Sequence, residues 1–509
     1  MALNTVLIGL ATLASRLLGF ARDVLLASVL GTGPVADAFF VAIRLPNLVR
    51  RITGEGAWNS GFIPVSHRLK QSDGVDAVRR FTGEALIAIV ILVSVLTVIV
   101  EIFAPQVVTL VASGLDEQTR SLAILLTRLS FPLVAGALLG SFLAAVLAGR
   151  EQFGLAAFAP VIVNAMLVAT LLMAEVWSGG NQIFVGAFIS VTASLAGFVQ
   201  VAILLPVVMT GAERPVWPRA IMSTHVRRML SLAGPGLLAA ALAQLAIIVA
   251  IEAASDWQGA VARLNYADRL FQLPLGFVAT ALGTVALPQL TKLLLAGDKP
   301  KFHSAIDRAV ELACLLSFPA MVALLFIPEV IVAVLFERGA FTPRDTLETS
   351  RAIQGFAWGL PFAALARVEA QIFFAHERPR WPLLAAALGL VVTFASAMLF
   401  GVEHGLLAIA SSVSLGAAAT VLLQHVMIRH VGGWRLSFGL LFRLVRIGFA
   451  AFLMGVAVQF AAQQSAGLID DAGLLLRVIW LLALCLGGML VFGGFAWAFR
   501  VLDFKAVRS

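Results

Sequence analysis

Charge is scarce in this chain. Of its 509 residues only 13% are Asp, Glu, Lys or Arg, against roughly a quarter in an ordinary soluble domain. Its two cysteines, Cys314 and Cys485, both sit inside apolar runs. That excludes a disulfide framework and any paired-cysteine metal site. The seven histidines fall at the ends of apolar runs or between them, and no H-E-x-x-H is found. His67, His303 and His376 read as solvated or headgroup-level residues. A Ser-His-acid set cannot be assembled at one depth, and no G-x-x-x-x-G-K-[ST] provides for a nucleotide engine. Long linkers are missing too, since the longest polar connections, 66–81, 209–228 and 292–308, are about 16–20 residues each, too short to separate independent domains. No Lys or Arg precedes the first apolar segment, which is therefore expected to remain as a first helix rather than to act as a signal peptide.

What is abundant is apolar sequence. The chain is 60% hydrophobic with a mean hydropathy of +0.98. Runs of about 20 apolar residues recur from end to end, each long enough to cross about 30 Å of hydrocarbon as a helix. They are continuous rather than alternating, which argues against barrel strands. The expected fold class is an all-α polytopic membrane protein with fourteen transmembrane helices. The expected spans are 3–30, 34–65 (interrupted near Gly54 and Gly56), 82–112, 119–148, 155–176, 182–208, 229–254, 259–291, 309–335, 349–375, 382–401, 405–427, 446–465 and 473–499.

Basic residues test that count. With both termini on one side of the membrane, the connections there collect twenty-two Lys and Arg, while the opposite side holds only Arg120, Arg338, Arg344 and Arg351. The imbalance predicts cytoplasmic termini. It also accounts for the net charge of +8 through orientation and anionic lipid headgroups, without nucleic acid.

The remaining ten basic residues are all arginines within spans, and half of them crowd into the first two helices: Arg16, Arg22, Arg44, Arg50 and Arg51. Each costs on the order of 2.5–3.5 kcal/mol at the centre of a lipid-facing helix, so together they are expected to line something wet or anionic. Arg477 and Arg263 lie near span ends and read as snorkelling, whereas Arg128 and Arg367 lie deeper. Asp37, Arg44 and Arg51 repeat at intervals of seven and form one stripe. The short Gly31-Thr32-Gly33-Pro34 connection makes the two helices antiparallel neighbours. The outer half of the hairpin can then neutralise itself through Arg22–Asp37 or Asp23–Arg44. The inner half has Arg16, Arg50 and Arg51 with only Glu55 nearby, unless another helix supplies Asp268 or Glu252. Gly54-Glu55-Gly56 is expected to interrupt the second helix. Six helices on, Tyr266-Ala267-Asp268-Arg269 echoes the pattern, as six-helix halves repeated in one orientation would. Tyr266, the only tyrosine, reads as a packed aromatic.

At these residues the chain resembles a known family. The stretch ASRLLGFARDVLLASVLGTGPVADAFFVAIRLPNLVRRITGEGAWNSGFIPV is similar to the N-terminal signature of the MurJ (MviN) lipid II flippases, and YADRLFQLPLGFVATALGTVALPQL at 266–290 and FERGAFTPRDT at 336–346 continue the likeness. The resemblance implies the fold of the multidrug/oligosaccharidyl-lipid/polysaccharide exporter superfamily: two six-helix lobes around a central cationic cavity, plus two C-terminal helices. By it, 1–208 is an N-terminal lobe, 209–428 a C-terminal lobe, and 429–509 holds helices 13 and 14 with a groove for the polyprenyl tail. It implies a transporter rather than an enzyme, moving the lipid-linked peptidoglycan precursor across the bacterial cytoplasmic membrane by alternating access. Carried over by position, the family's cavity cations fall on Arg16, Arg22, Arg50 and Arg269, with Asp37 as an accompanying acid. Arg51 joins the binding set from the charge pattern, and Asp23, Arg44, Glu55 and Asp268 stand as gating or pairing residues. No metal or cofactor is expected, and coupling to membrane potential or an ion stays open. Two other classes remain. An exporter of drugs or of other lipid-linked glycans would share the architecture, though cationic drugs would call for acids in the hairpin. An enzyme acting on such lipids would need a grouped acid–base set, which the largest outer loop, Glu337 to Arg351, lacks.

Overall fold

The structure, a computed structural model, describes every residue except Met1, 55–56, 153, 178, 218–220, 284–285, 432, 470–471 and 502–509. Among the described residues it is all helical, with no strand. Nine helical stretches in that set are long and apolar enough to cross a membrane. The chain divides into two compact units.

The first unit comprises Met1–Gln244, Ser255–Ala262 and Gly339–Phe341. It contains α1 (Ala2–Leu30), α2 (Pro34–Gly54), α3 (Ala57–Ser72), α4 (Gly74–Ile102), α5 (Ala104–Val111), α6 (Glu117–Ser130), α7 (Leu133–Gly149), α8 (Gly154–Trp177), α9 (Gln182–Val208) and most of α10 (Thr224–Ala254). The interruption expected near Gly54 and Gly56 falls on 55–56, outside the described residues. Hydrocarbon offers a helix no water, so each main-chain group freed by a proline or a break needs a partner from the protein. Pro46 lies inside α2 and removes the donor that would have met the Ala42 carbonyl; the Ser130 hydroxyl donates to that oxygen instead, at 3.3 Å. Between α6 and α7 the chain breaks at Phe131-Pro132, and the Ser194 hydroxyl of α9 donates to the Leu129 carbonyl at 2.7 Å. Outside the spans, Asp116 caps α6 by accepting the N–H groups of Gln118 and Thr119. Hydrogen bonds from Thr119 hold the Asp116 carboxyl below the usual range.

Lipid tails are as apolar as leucine, so helix association in a bilayer relies on close packing more than on water exclusion. Small residues supply it here. Gly136 of α7 faces Gly197 of α9 so closely that a Cβ on Gly136 would collide with the Gly197 backbone. Where α3, α4 and α7 meet, Phe62 stacks on Phe81 at 5.3 Å and meets Phe142 edge-on at 5.4 Å, and Trp58 meets Phe142 at 5.9 Å.

The second unit comprises Leu245–Ala254, Arg263–Arg338 and Thr342–Ser509. It holds the rest of α10, nearly all of α11 (Ala260–Gly283), and then α12 (Ala286–Leu295), α13 (Lys299–Phe326), α14 (Pro328–Phe336), α15 (Pro343–Ala357), α16 (Leu360–Ala375), α17 (Arg380–Val431), α18 (Phe438–Ile469) and α19 (Leu474–Ala498). The same devices recur. Pro328 ends α13, and Gln354 Nε2 donates to the Leu325 carbonyl at 3.3 Å. Thr342 and Asp345 form a reciprocal capping box at the start of α15. Arg263 then pairs with Asp345 at 2.9 Å. α17 is kinked at Gly405, whose φ of 65° and ψ of −152° suit only glycine. Tyr266 is buried, with its ring 5.3 Å from that of Phe336, a packed aromatic as expected. Val322, Met454, Val458 and Leu484 join α13, α18 and α19 in one apolar cluster.

Candidate functional site: the charged hairpin of α1 and α2

Within the first unit a polar seam joins α1 to α8, which pack along each other. By contrast α2 packs on α6 and α7 and barely touches α1, so the two helices are not the antiparallel neighbours that the short connection suggested. Arg22 is the seam's best-defined member. Its Nε and Nη2 both donate to Asp23 Oδ1, at 3.0 and 2.7 Å, and its Nη1 donates to Asn164 Oδ1 at 3.0 Å. The Arg22 side chain is 15% exposed and that of Asp23 9%, so the pair sits largely out of water, where a charge-assisted bond is strong. Of the two pairings offered by the sequence, Arg22–Asp37 does not form: the carboxylate beside Arg22 is its own chain neighbour. A side chain that can reach an adjacent residue needs no inter-helix register to find it.

Asp37 has a different task. It is buried, and its two oxygens accept the backbone N–H groups of Gly259 and Ala262, at 2.5 and 2.8 Å. Those amides belong to the first turn of α11, where the main-chain donors have no helical acceptor. A carboxylate there satisfies them and complements the positive end of the helix dipole. Gly259 can present its N–H in this way at a φ of 80°. Nearby, Ala340 N–H donates to the Ser28 carbonyl at 2.7 Å. Gly31, at a φ of 59°, lies so close to Ala340 that a Cβ there would meet its carbonyl. The tight turn between α1 and α2 is thus seated against residues 339–341.

The other predicted residues are distributed as follows. Arg16 is exposed on α1 and Arg44 is buried on α2. Arg50 is exposed and donates to Asn47 Oδ1 at 3.3 and 3.4 Å. Arg51 donates to Gln244 Oε1 of α10 at 3.0 Å. Glu55 lies outside the described residues. In the second unit Arg269 is half-buried on α11, and Asp268, buried beside it, accepts from Gln272 Nε2 at 2.7 Å. Of the two deeper arginines, Arg367 donates to the Leu275 carbonyl at 3.2 Å.

Sequence reasoning missed Asn47, Asn164 and Gln244, the amides on which three of the arginines rest. A signal existed for two of them. Asn164 and Gln244 are each the single carboxamide in an apolar helical run, APVIVNAMLVAT and LLAAALAQLAIIVA, and a lone amide in a spanning helix usually has a partner on another helix.

Two polar features lie elsewhere. A cleft of about 600 Å³ in the first unit is lined by His67, Lys70, Arg150 and Glu213 among others. Glu213 bridges Lys70 at 2.7 Å and Arg150 at 3.7 Å, so both cations already share a carboxylate. In the second unit, Glu369 of α16 is 3% exposed and meets His425 Nδ1 at 3.3 Å. The His425 ring lies edge-on to Trp434, which donates to Asp307 at 2.8 Å.

All-helical among the described residues, with nine stretches able to cross a membrane and a cluster of arginines in its first hairpin, the chain has the architecture of a polytopic membrane transporter. The chain belongs to the lipid II flippase MurJ family, whose model matches residues 26–471. A probable lipid II flippase MurJ of Rhizobium meliloti is 34% identical over 498 residues, covering 97% of this chain and 92% of that protein. The lipid II flippase MurJ of Burkholderia cenocepacia is 31% identical over 503 residues, covering 96% of each. Among solved structures, a lipid II flippase MurJ in an inward closed conformation superposes with a TM-score of 0.79 at 23% identity, covering 97% of this chain and 99% of that one. An inward-facing MATE multidrug transporter of the MOP superfamily gives 0.69 at 16% identity, covering 82% and 94%. The all-helical fold class expected from the opening motif is therefore found, whereas the count of fourteen spans is not settled by the nine long apolar stretches among the described residues.

Proposed function

We propose that this protein is a flippase that carries lipid II, the polyprenyl-diphosphate-linked peptidoglycan precursor, from the inner to the outer leaflet of the bacterial cytoplasmic membrane by alternating access. The observation that carries the reading is the state of Arg22. Three of its five N–H donors are engaged, and among the described residues one on each terminal nitrogen is left. Two N–H groups on a planar guanidinium suit two oxygens of a phosphate. A diphosphate is costly to desolvate in a bare bilayer, and Arg16, Arg50 and Arg51 on the same hairpin, with Arg269 on α11, offset that cost by supplying further cations. Asp37 serves as a gating residue through its hold on the start of α11.

The reading places both termini in the cytoplasm, on the strength of the basic connections, and puts anionic headgroups around them. It assigns the polyprenyl tail to the C-terminal segment, supported by the exposed apolar side chains Phe449, Phe452, Phe460, Leu486 and Leu490 on α18 and α19. The MATE likeness keeps a drug exporter in view, but a cationic cargo would favour acids where this hairpin has arginines. Purified protein in vesicles with labelled lipid II separates the readings. A change of leaflet with the lipid chemically intact supports flipping. A chemical change would mark an enzyme, and no movement would refute the assignment.

A further inference from the structure

Asn164 has a place in the hairpin that neither packing nor the family likeness accounts for. It lies on α8, which packs along α1, and its amide is fixed from both ends. Oδ1 accepts from Arg22 Nη1 at 3.0 Å, while Nδ2 donates to the Ser15 carbonyl at 3.1 Å and to the Ser15 hydroxyl at 3.2 Å. Only an amide can do this. An aspartate would turn an oxygen toward the Ser15 carbonyl and would give Arg22 a second negative neighbour. An apolar residue would leave Nη1 without its acceptor.

We infer that Asn164 is a positioning residue for phosphate recognition: it orients the Arg22 guanidinium without neutralising it. Asp23 supplies the single negative charge that lets the arginine sit out of water when no cargo is bound. Asn164 clamps the opposite nitrogen with a neutral acceptor, so the pair stays electrically balanced and the two remaining N–H groups keep one direction. A diphosphate arriving there adds its own charge to an arginine held by one carboxylate. With two carboxylates it would be repelled. The inference rests on the reading of Arg22 as a phosphate ligand.

The test uses the purified full-length chain in lipid nanodiscs, with a polyprenyl diphosphate as probe and the corresponding uncharged polyprenol as control. Binding is measured for wild type, Arg22→Ala, Asn164→Ala, Asn164→Asp and the double variant Asp23→Asn with Asn164→Asp, each checked for an unchanged unfolding temperature. Loss of a hydrogen bond to a charged group predicts about tenfold weaker diphosphate binding for Asn164→Ala, and a still larger loss for Asn164→Asp. The double variant returns Arg22 to one carboxylate and is expected to recover to within about threefold of wild type, a rescue that a purely structural role would not produce. Should Asn164→Ala and Asn164→Asp bind like wild type while Arg22→Ala does not, the positioning role is overturned. A double variant as weak as Asn164→Asp overturns it as well. If Arg22→Ala itself binds normally, the assignment of Arg22 to the phosphate fails first.

Discussion

Asp37 and Gly259 stand 222 residues apart, and the carboxylate of the first accepts the backbone N–H of the second. The bond fixes the first turn of α11 to the second helix of the chain through a group that the sequence presents only as one more charge in a greasy segment.

Removing that carboxylate has a defined cost. Asp37→Ala leaves the amides of Gly259 and Ala262 buried without their acceptor, at about 1–3 kcal/mol each. Asp37→Asn keeps one oxygen and loses less. Thermal unfolding in detergent micelles should rank wild type above Asn above Ala; equal midpoints for all three would show that water or another side chain takes over the cap.

Arg22→Lys keeps the charge and gives up the planar fork. Partial lipid II flipping is expected for lysine and none for Arg22→Ala, read in vesicles or by survival of cells that depend on the variant. Equal survival of the two would count against a role for the guanidinium geometry.

Gly136→Leu should prevent α7 and α9 from closing, because even a Cβ at this position meets the Gly197 backbone. Loss of monodisperse protein on size exclusion is the expected result. Gly448→Ala on α18, where no atom lies within 4 Å of the added carbon, is the matched control and should be neutral or stabilising by a few tenths of a kcal/mol, up to about 1.

The Glu369–His425 pair should behave as a coupled unit. His425→Leu alone leaves a carboxyl that is 3% exposed without its ring partner, and an unsatisfied buried polar group costs about 1–3 kcal/mol. Glu369→Leu with His425→Leu removes both partners and should recover most of that loss. A double variant no more stable than His425→Leu would show that the two residues act independently.

Acid should weaken the start of α6. The Asp116 carboxyl lies below its ordinary pKa because of its bonds from Thr119. Its contribution is therefore complete above the unfolded value of about 4 and is lost as pH falls through the lower folded value. Asp116→Asn, which has no such titration, should show a flatter dependence of unfolding temperature on pH between 5 and 3, an interval chosen to bracket the free carboxyl at about 4. Parallel curves would remove Asp116 from the acid response.

Much of this architecture could be read from residue order alone. Continuous apolar runs specify membrane helices, since nothing else satisfies the backbone in hydrocarbon. The clustering of arginines in 16–51 marked the hairpin. The partners of the charges were harder to read. A carboxylate that binds main-chain amides, as Asp37 does, leaves no complementary side chain to search for. Arg22 found Asp23 beside it, where reasoning from helix faces looked across the hairpin. Asn164 is one polar letter in an apolar run, and its importance appears only when Ser15 and Arg22 are brought to either side of it. The break at Phe131-Pro132 was likewise absorbed into one predicted span, since a proline in a long apolar run is compatible with a kink as well as a stop.

The adjacency of Arg22 and Asp23 sets a limit on how cargo can be let go. Both side chains grow from one turn of one helix, so they travel as passengers on the same rod however α1 tilts or slides. Motion of the α1 backbone therefore does not by itself prise that couple apart, and if Arg22 holds a phosphate as proposed, its discharge is expected to follow from what α1 leaves behind as it moves, with α8 and its amide first in line.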